Sequence, residues 1–279
     1  MSDEPTFTSG SEWTLAALAD LFTRSFAGYV MPVHVTAAAL AARCRVEHVD
    51  LDASRVVVVA GAPVGLALIT RRGDRARLGV MGFVEAYRGQ KLGARTLSRV
   101  LDESRARGEQ SMLLECFTTN EAGVAIYRKA GFSIMRLLVG WERPAFPTGQ
   151  GDASLLEERE PDAFGRALAA LPELDLPWQL AAPTLIAVTA PTRTFSLEGH
   201  AFACFTESES ALSFRGLLTP PAHRRRGLAR RLLEAVSARF PGRALHFPPI
   251  FPEDAGQEAF ASLGFSKMPL AQHEMIWTP

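Results

Sequence analysis

The chain has 279 residues, 47% of them hydrophobic and 22% charged, and its thirty basic and thirty acidic side chains cancel. That balance excludes a general pull toward nucleic acid or an anionic membrane, so any anion binding must be local. The three cysteines, Cys44, Cys116 and Cys204, are odd in number and far apart, which argues against a disulfide framework or a thiolate metal cluster.

The six histidines show no close pair at ligand spacing, and no metal is expected. No signal peptide opens the chain, and no apolar stretch reaches the roughly 18 residues of a membrane span. A reduced, cytoplasmic protein without a membrane partner is expected, a monomer or homodimer long enough for two domains.

The first ten residues read as a short strand or arm. From Ser11, a plausible cap, Leu15, Leu18, Phe22 and Phe26 recur at helical intervals, and a second helix follows Thr36 through Leu40 and Cys44. Phe26, Tyr29, Met31 and His34 lie between and beside these helices. Two strands over 56–60 and 64–70 are joined as a hairpin at Gly61-Ala62-Pro63, and a polar turn over 71–77 leads into a buried-looking strand over 78–84. Gly79 and Gly82 break that strand and let a backbone or a ligand come close.

Arg88-Gly89-Gln90-Lys91-Leu92-Gly93 then opens a helix whose apolar face is Leu97, Val100 and Leu101. The first amides of a helix have no partner within it and sit at the positive end of its dipole, so a glycine-bearing turn at that point makes an anion site. Arg88 and Lys91 add charge, and the expected guest is a pyrophosphate. A strand over 111–117 carries Glu115 and Cys116 near its carboxyl end, where open sheets bind ligands. Asn120 caps the next helix, on which Tyr127 lies beside the face of Ala122, Ile126 and Ala130, and Gly131 ends it.

A strand, Arg-x-x-x-x-Gly at a helix start, Leu-Glu, Asn with Tyr seven residues later, and Gly-Phe together resemble the core of the GNAT acetyltransferase superfamily. Lys91 stands where the first glycine of the commoner family turn lies, and glucosamine-phosphate acetyltransferases have a similar Arg-Gly-x-x-Leu-Gly turn. The resemblance implies acetyl-CoA as cofactor, its pyrophosphate on the amides of the region from Gln90 through Leu92 and Gly93 to Ala94. It also implies that the backbone around Phe83 and Val84 hydrogen-bonds the pantetheine arm and polarises the thioester carbonyl, and that the acceptor is shaped at the helices before the sheet, which makes Phe26, Tyr29, Met31 and His34 candidate lining residues.

An amine attacking a thioester expels a thiolate, and a phenol can return the proton it needs. Tyr127 is the candidate acid. An ammonium acceptor needs a base, for which Glu115 and Glu85 are both candidates. Asn120 either touches the cofactor arm or serves only as a cap, and Cys116 reads as a buried strand cysteine.

Pro144, Pro147, Gly149 and Gly151 form the clearest linker, placing an N-terminal catalytic domain over 1–145 and a C-terminal domain over 146–279. The second half echoes the first: Arg224 follows Arg88 by 136 positions, Gly264-Phe265 follows Gly131-Phe132 by 133, and Trp277 follows Trp141 by 136. Strand-like runs over 185–189, 195–197, 202–206 and 212–218 precede a turn, Arg224-Arg225-Arg226-Gly227-Leu228-Ala229, that is a possible second cofactor site. Phe260 stands where the first half has Tyr127, and Pro248 and Pro249 interrupt the adjacent strand.

The expected fold is α/β with two GNAT-like domains, each a mixed, mostly antiparallel sheet flanked by helices. The expected function is acetyl-CoA-dependent acetyl transfer to a small-molecule amine or a protein amino terminus. A non-catalytic acyl-CoA sensor is the alternative, and the arginine run over 224–226 is assigned to phosphate rather than to nucleic acid.

Overall fold

The computed structural model describes residues 4–29, 32–147, 149–172 and 174–279, so the candidate lining residue Met31 lies outside the described residues. Contacts divide the chain into two compact units, Met1–Met135 with Glu274–Pro279, and Arg136–His273. Among the described residues no helix is long and apolar enough to cross a membrane.

The first unit runs β1 (Thr6–Ser9), α1 (Leu15–Ser25), α2 (Ala37–Glu47), β2 (Val49–Val59), β3 (Ala62–Arg72) and β4 (Arg75–Phe83). Then come α3 (Leu92–Ala106), β5 (Ser111–Phe117), α4 (Glu121–Lys129) and β6 (Ser133–Arg143), within which the division falls. The strands lie in the order β1-β2-β3-β4-β5, antiparallel as far as β4 and parallel between β4 and β5. Thr14 caps α1, accepting from the Ala17 amide at 3.2 Å. Ser11 does not begin that helix, because Ser9 and Glu12 close a capping box around a tight turn of their own. Thr36 caps α2 as expected. The hairpin reverses at Ala60 and Gly61, both at positive φ, the arrangement that fits the twist of the flanking strands. One core gathers Leu97, Val100 and Leu101 of α3 over Ile69, Met112 and Leu114, and the C-terminal Trp277 joins it.

The second unit continues with β7 (Leu156–Arg159), α5 (Ala163–Ala169), α6 (Ala182–Ile186), β8 (Arg193–Leu197), β9 (Ala201–Glu207) and β10 (Ala211–Leu218). It ends with α7 (Leu228–Arg239), β11 (Ala244–Pro252), α8 (Gln257–Ser262) and β12 (Ser266–Trp277), whose last residues belong to the first unit. Its strands lie in the order β6-β11-β10-β9-β8-β7, again with one parallel pair, β10 and β11. The run over 185–189, expected as a strand, falls partly in α6, because Pro183 in the first turn presets a helical φ. Pro248 and Pro249 do not end β11; its register against β6 slips between Phe247 and Phe251 to take them in. Phe205, Phe214 and Phe247 fill the core under Leu232 and Leu233 of α7. Each unit is therefore a mixed, mostly antiparallel sheet flanked by helices.

Candidate active site

The parallel pairing of β4 with β5 joins Arg75, Ala76 and Arg77 to Ser111, Met112 and Leu113. Both strands run on beyond these pairs, so they part, and a cavity of about 560 Å³ opens at their carboxyl ends. Its walls are the end of β4, the first turn of α3 and one side of α4, with Ser25 at the end of α1 and Phe26 and Tyr29 after it. The Val84 amide donates to the Val64 carbonyl at 2.8 Å. Antiparallel alternation then turns the backbone of Phe83 and Met81 away from β3 and toward the opening, and both residues line it. The glycine of β4 that admits a close neighbour is Gly82: a Cβ there would lie 2.6 Å from the Phe26 ring.

At the α3 mouth Gly89 and Lys91 adopt φ of 76° and 62°, and no side chain caps the helix. The turn leaves the first amides of α3 without a helical partner, and Gly89, Lys91, Leu92, Gly93 and Ala94 all line the cavity. A Cβ on Gly89 would meet nothing within 4 Å, so the open side of the turn is roomy as well as polar. The residues present fit a diphosphate-bearing cofactor.

Two expected phosphate contacts have other partners. The Arg88 guanidinium donates to the carbonyls of Phe83 at 2.9 Å, Ala27 at 2.8 Å and Ser25 at 3.1 Å, fastening the chain after α1 to the end of β4. Gln90 Nε2 donates to the Ala86 carbonyl at 2.9 Å, and Gln90 is not among the lining residues. A cation that sequence reasoning missed, Lys129 at the end of α4, lines the cavity together with Lys91. Its only sequence signal was a place two residues after Tyr127.

Tyr127 lines the same cavity, with its ring 5.9 Å from Phe132, and no hydrogen bond engages its hydroxyl among the described residues. Burial pushes its pKa well above the usual phenol value, and Cys116 and Tyr29 add to the rise. Tyr29 is raised in the same way, by burial and then by Cys116, while a bond from Asn120 draws it back. Asn120 caps α4 through Oδ1, which accepts from the Gly123 amide at 3.0 Å, and it lines the cavity too. Burial lifts the Cys116 thiol to about 11, which keeps it protonated and inert. His34 is exposed and does not line the cavity.

Neither candidate base is brought to this cavity. Arg77 holds Glu115, Nε lying 2.9 Å from both carboxylate oxygens and Nη2 2.6 Å from Oε2. Glu85 is exposed in the turn after β4 and is not a lining residue. Among the described lining residues there is no Asp, Glu or His.

Comparison with known families finds that residues 16–132 match the model described as Acetyltransferase (GNAT) family. The first unit is a GNAT acetyltransferase domain. As such the protein is an enzyme, an acyltransferase, and its cofactor is acetyl-CoA. Comparison with curated protein sequences finds no match. A solved tandem GNAT protein from the clavulanic acid biosynthesis pathway is 13% identical, with a TM-score of 0.68 over 99% of this chain and 98% of that one. A GCN5-related N-acetyltransferase from Sphaerobacter thermophilus is also 13% identical, with a TM-score of 0.65 over 100% and 96% of the two chains. One from Anabaena variabilis is 15% identical, with a TM-score of 0.64 over 98% and 72%. At these identities the likeness is one of fold, and it takes in both units.

The second GNAT-like unit repeats the helix mouth. Arg225 and Gly227 adopt φ of 65° and 74°, and α7 has no side-chain cap. A cavity of about 570 Å³ lies there, lined by Arg224, Arg225, Gly227, Leu228 and Ala229 among others, while Arg226 does not line it. Arg224 Nε donates to the Thr219 carbonyl at 3.1 Å, as Arg88 does to Phe83. Where the first unit offers a phenol, Phe260 is stacked on Trp141 at 5.1 Å and offers no proton.

Proposed function

We propose that the first unit transfers an acetyl group from acetyl-CoA to a primary amine within a ternary complex, with Tyr127 as the general acid. The observation that carries this is a phenol hydroxyl, free of hydrogen bonds among the described residues, in the same cavity as the uncapped mouth of α3. Bound there, the cofactor supplies an acetyl thioester as the electrophile. The amides from Lys91 to Ala94 hold its diphosphate, with the charges of Lys91 and Lys129 beside them. The backbone of Met81 and Phe83 orients the pantetheine arm. Phe26 and Tyr29 close the acceptor side, and Arg88 keeps that side in place. Tyr127 gives from Oη the proton that the departing sulfur needs and takes back the proton that the amine nitrogen loses as the amide forms, and its raised pKa keeps Oη protonated before attack wherever an amine is neutral.

With no carboxylate or imidazole on the described walls, the acceptor is best taken as an amine that is already neutral. A protein amino terminus near 7.7–8.0, or a small amine of similar basicity, meets that requirement better than a lysine near 10.4. The second unit is a candidate for a second coenzyme A site without turnover. The test is calorimetric titration of acetyl-CoA into the full chain together with turnover on amines graded in pKa. Binding at the α3 mouth with turnover that favours the less basic amines is expected, and a second equivalent of bound cofactor would mark the α7 mouth. Binding without turnover on any amine would leave a sensor instead.

A further inference from the structure

Within the second unit another cavity, of about 300 Å³, lies over the carboxyl half of β10 and adjoins the one at the α7 mouth, sharing Leu217, Leu218 and Ala259 with it; its walls are Phe164 and Leu168 of α5, Leu176, Phe251 and Leu263. Its described lining is apolar except for two cations, Arg215 and Arg224, and holds no acid. Arg224 is tied to the Thr219 carbonyl. Arg215 is different: among the described residues no hydrogen bond or ion pair engages its guanidinium, although the residue is half-buried.

The backbone explains how Arg215 comes to face this wall. β10 pairs Phe214 with Phe205 and Gly216 with Cys204, so Arg215 is the extra residue of a bulge. A bulge re-aims the side chain it carries. The position 136 residues earlier, at the bulge of β4, is Gly79, and the buried cation of that strand, Arg77, has both Glu47 and Glu115. The second unit thus keeps a cation against an apolar wall and omits the anion. An unpaired charge beside such a wall is costly unless a partner arrives, and a guanidinium pairs best with a carboxylate, through two parallel hydrogen bonds. Leu174, 48% exposed, stands at the rim as apolar surface that an occupant would cover.

We infer that this cavity binds an apolar monocarboxylate, a medium-chain aliphatic acid whose carboxylate pairs with Arg215 while its hydrocarbon lies against Phe164, Leu168 and Leu176. The site is separate from the acetyl-transfer cavity and does not rest on the mechanism proposed for it. A thioester lacks the carboxylate, so Arg215 separates a free acid from an acyl-CoA reaching in from the α7 mouth.

The experiment titrates octanoate, octan-1-ol and octanoyl-CoA into the full-length wild type, Arg215→Met and Ala259→Trp. Ala259 is exposed on α8 at the edge of this cavity and of the one at the α7 mouth, and a tryptophan there is expected to plug the site while Arg215 is kept. Expected are one octanoate site in the wild type, at least tenfold weaker octanoate binding in Arg215→Met with octanol little changed, and loss of both in Ala259→Trp. No octanoate site in the wild type, or equal octanoate affinity in Arg215→Met, would overturn the inference. So would octanoyl-CoA that displaces octanoate from the wild type with an affinity that Arg215→Met leaves unchanged. Should Arg215→Met fail to fold, the preference for octanoate over octanol in the wild type, abolished by Ala259→Trp, decides the matter.

Discussion

Arg77 and Glu115 form a buried pair 38 residues apart in the chain, with side chains 1% and 5% exposed, and Arg77 Nη1 also reaches Glu47 of α2 at 2.9 Å. The arginine therefore fastens β4 to β5 just where the two strands begin to part. Removing one partner of a buried pair leaves an uncompensated charge and typically costs about 3–5 kcal/mol. Glu115→Ala should lower the unfolding free energy by roughly the low end of that range, since Glu47 remains. Turnover per folded molecule should change by less than about threefold. Urea unfolding and active-site-normalised kinetics measure the two quantities. A kcat loss of about a hundredfold with stability intact would instead make Glu115 the base.

How much of this was legible in the sequence depends on the range of the interactions. The α3 mouth, the Asn120 cap, the 111–117 strand and the position of Tyr127 are set by residues within a few places of one another, and spacing revealed them. The pairing of Glu115 with Arg77 is not legible, because Arg77 sits on another strand, and strand spacing says which end a residue occupies but not which cation faces it. Arg88 resembles a phosphate ligand in sequence, yet two of the three carbonyls it meets belong to residues 61 and 63 places away. The repeat also hid an exchange: Trp141 packs in the core of the second unit and its counterpart Trp277 in that of the first. Only pairing over the whole chain length could show that.

Tyr127→Phe removes one oxygen from a cavity wall and should leave cofactor affinity nearly unchanged. Because burial makes the phenol a weak acid, its contribution should fall at or below the usual range for acid catalysis, roughly 10- to 100-fold in kcat. The sign of the pH effect follows from the raised pKa. The folded state holds the proton more tightly than the unfolded chain, so this contribution to stability is intact below about pH 10 and is lost as pH rises through the folded value. The variant should therefore lose stability less steeply than the wild type above about pH 10. In the wild type, kcat should show no alkaline fall until beyond that pH. A descending limb near pH 8 that persists in the variant would point to a different acid.

Lys91 holds a left-handed conformation that a non-glycine residue adopts at a cost of about 1–2 kcal/mol. Lys91→Gly should raise the unfolding free energy by up to about 1 kcal/mol and weaken acetyl-CoA binding by no more than about tenfold, because the backbone amides remain and only one charge is lost. Gly93→Asp is the converse. A Cβ there meets only Phe83 at 3.7 Å and Ile126 at 3.9 Å, so the residue fits, but its carboxylate opposes a diphosphate at the helix mouth. It should weaken binding by well over tenfold with little loss of stability. If calorimetry ranks the two variants the other way, the lysine side chain and not the turn supplies the grip.

Phe260→Tyr asks whether the second unit lacks only a hydroxyl. The ring is 9% exposed, stacked on Trp141 with an interplanar angle of 7° and set edge-on to Phe247 at 4.8 Å. A hydroxyl added against this apolar packing has no evident partner and should cost about 1–3 kcal/mol in unfolding free energy. In a Tyr127→Phe background the same change should leave turnover at the level of that single variant, because the second unit also lacks the asparagine cap beside Tyr127: Gly256 caps α8 where Asn120 caps α4. Recovery of tenfold or more in kcat would show that the α7 mouth holds a competent site and that the phenol was the one missing part.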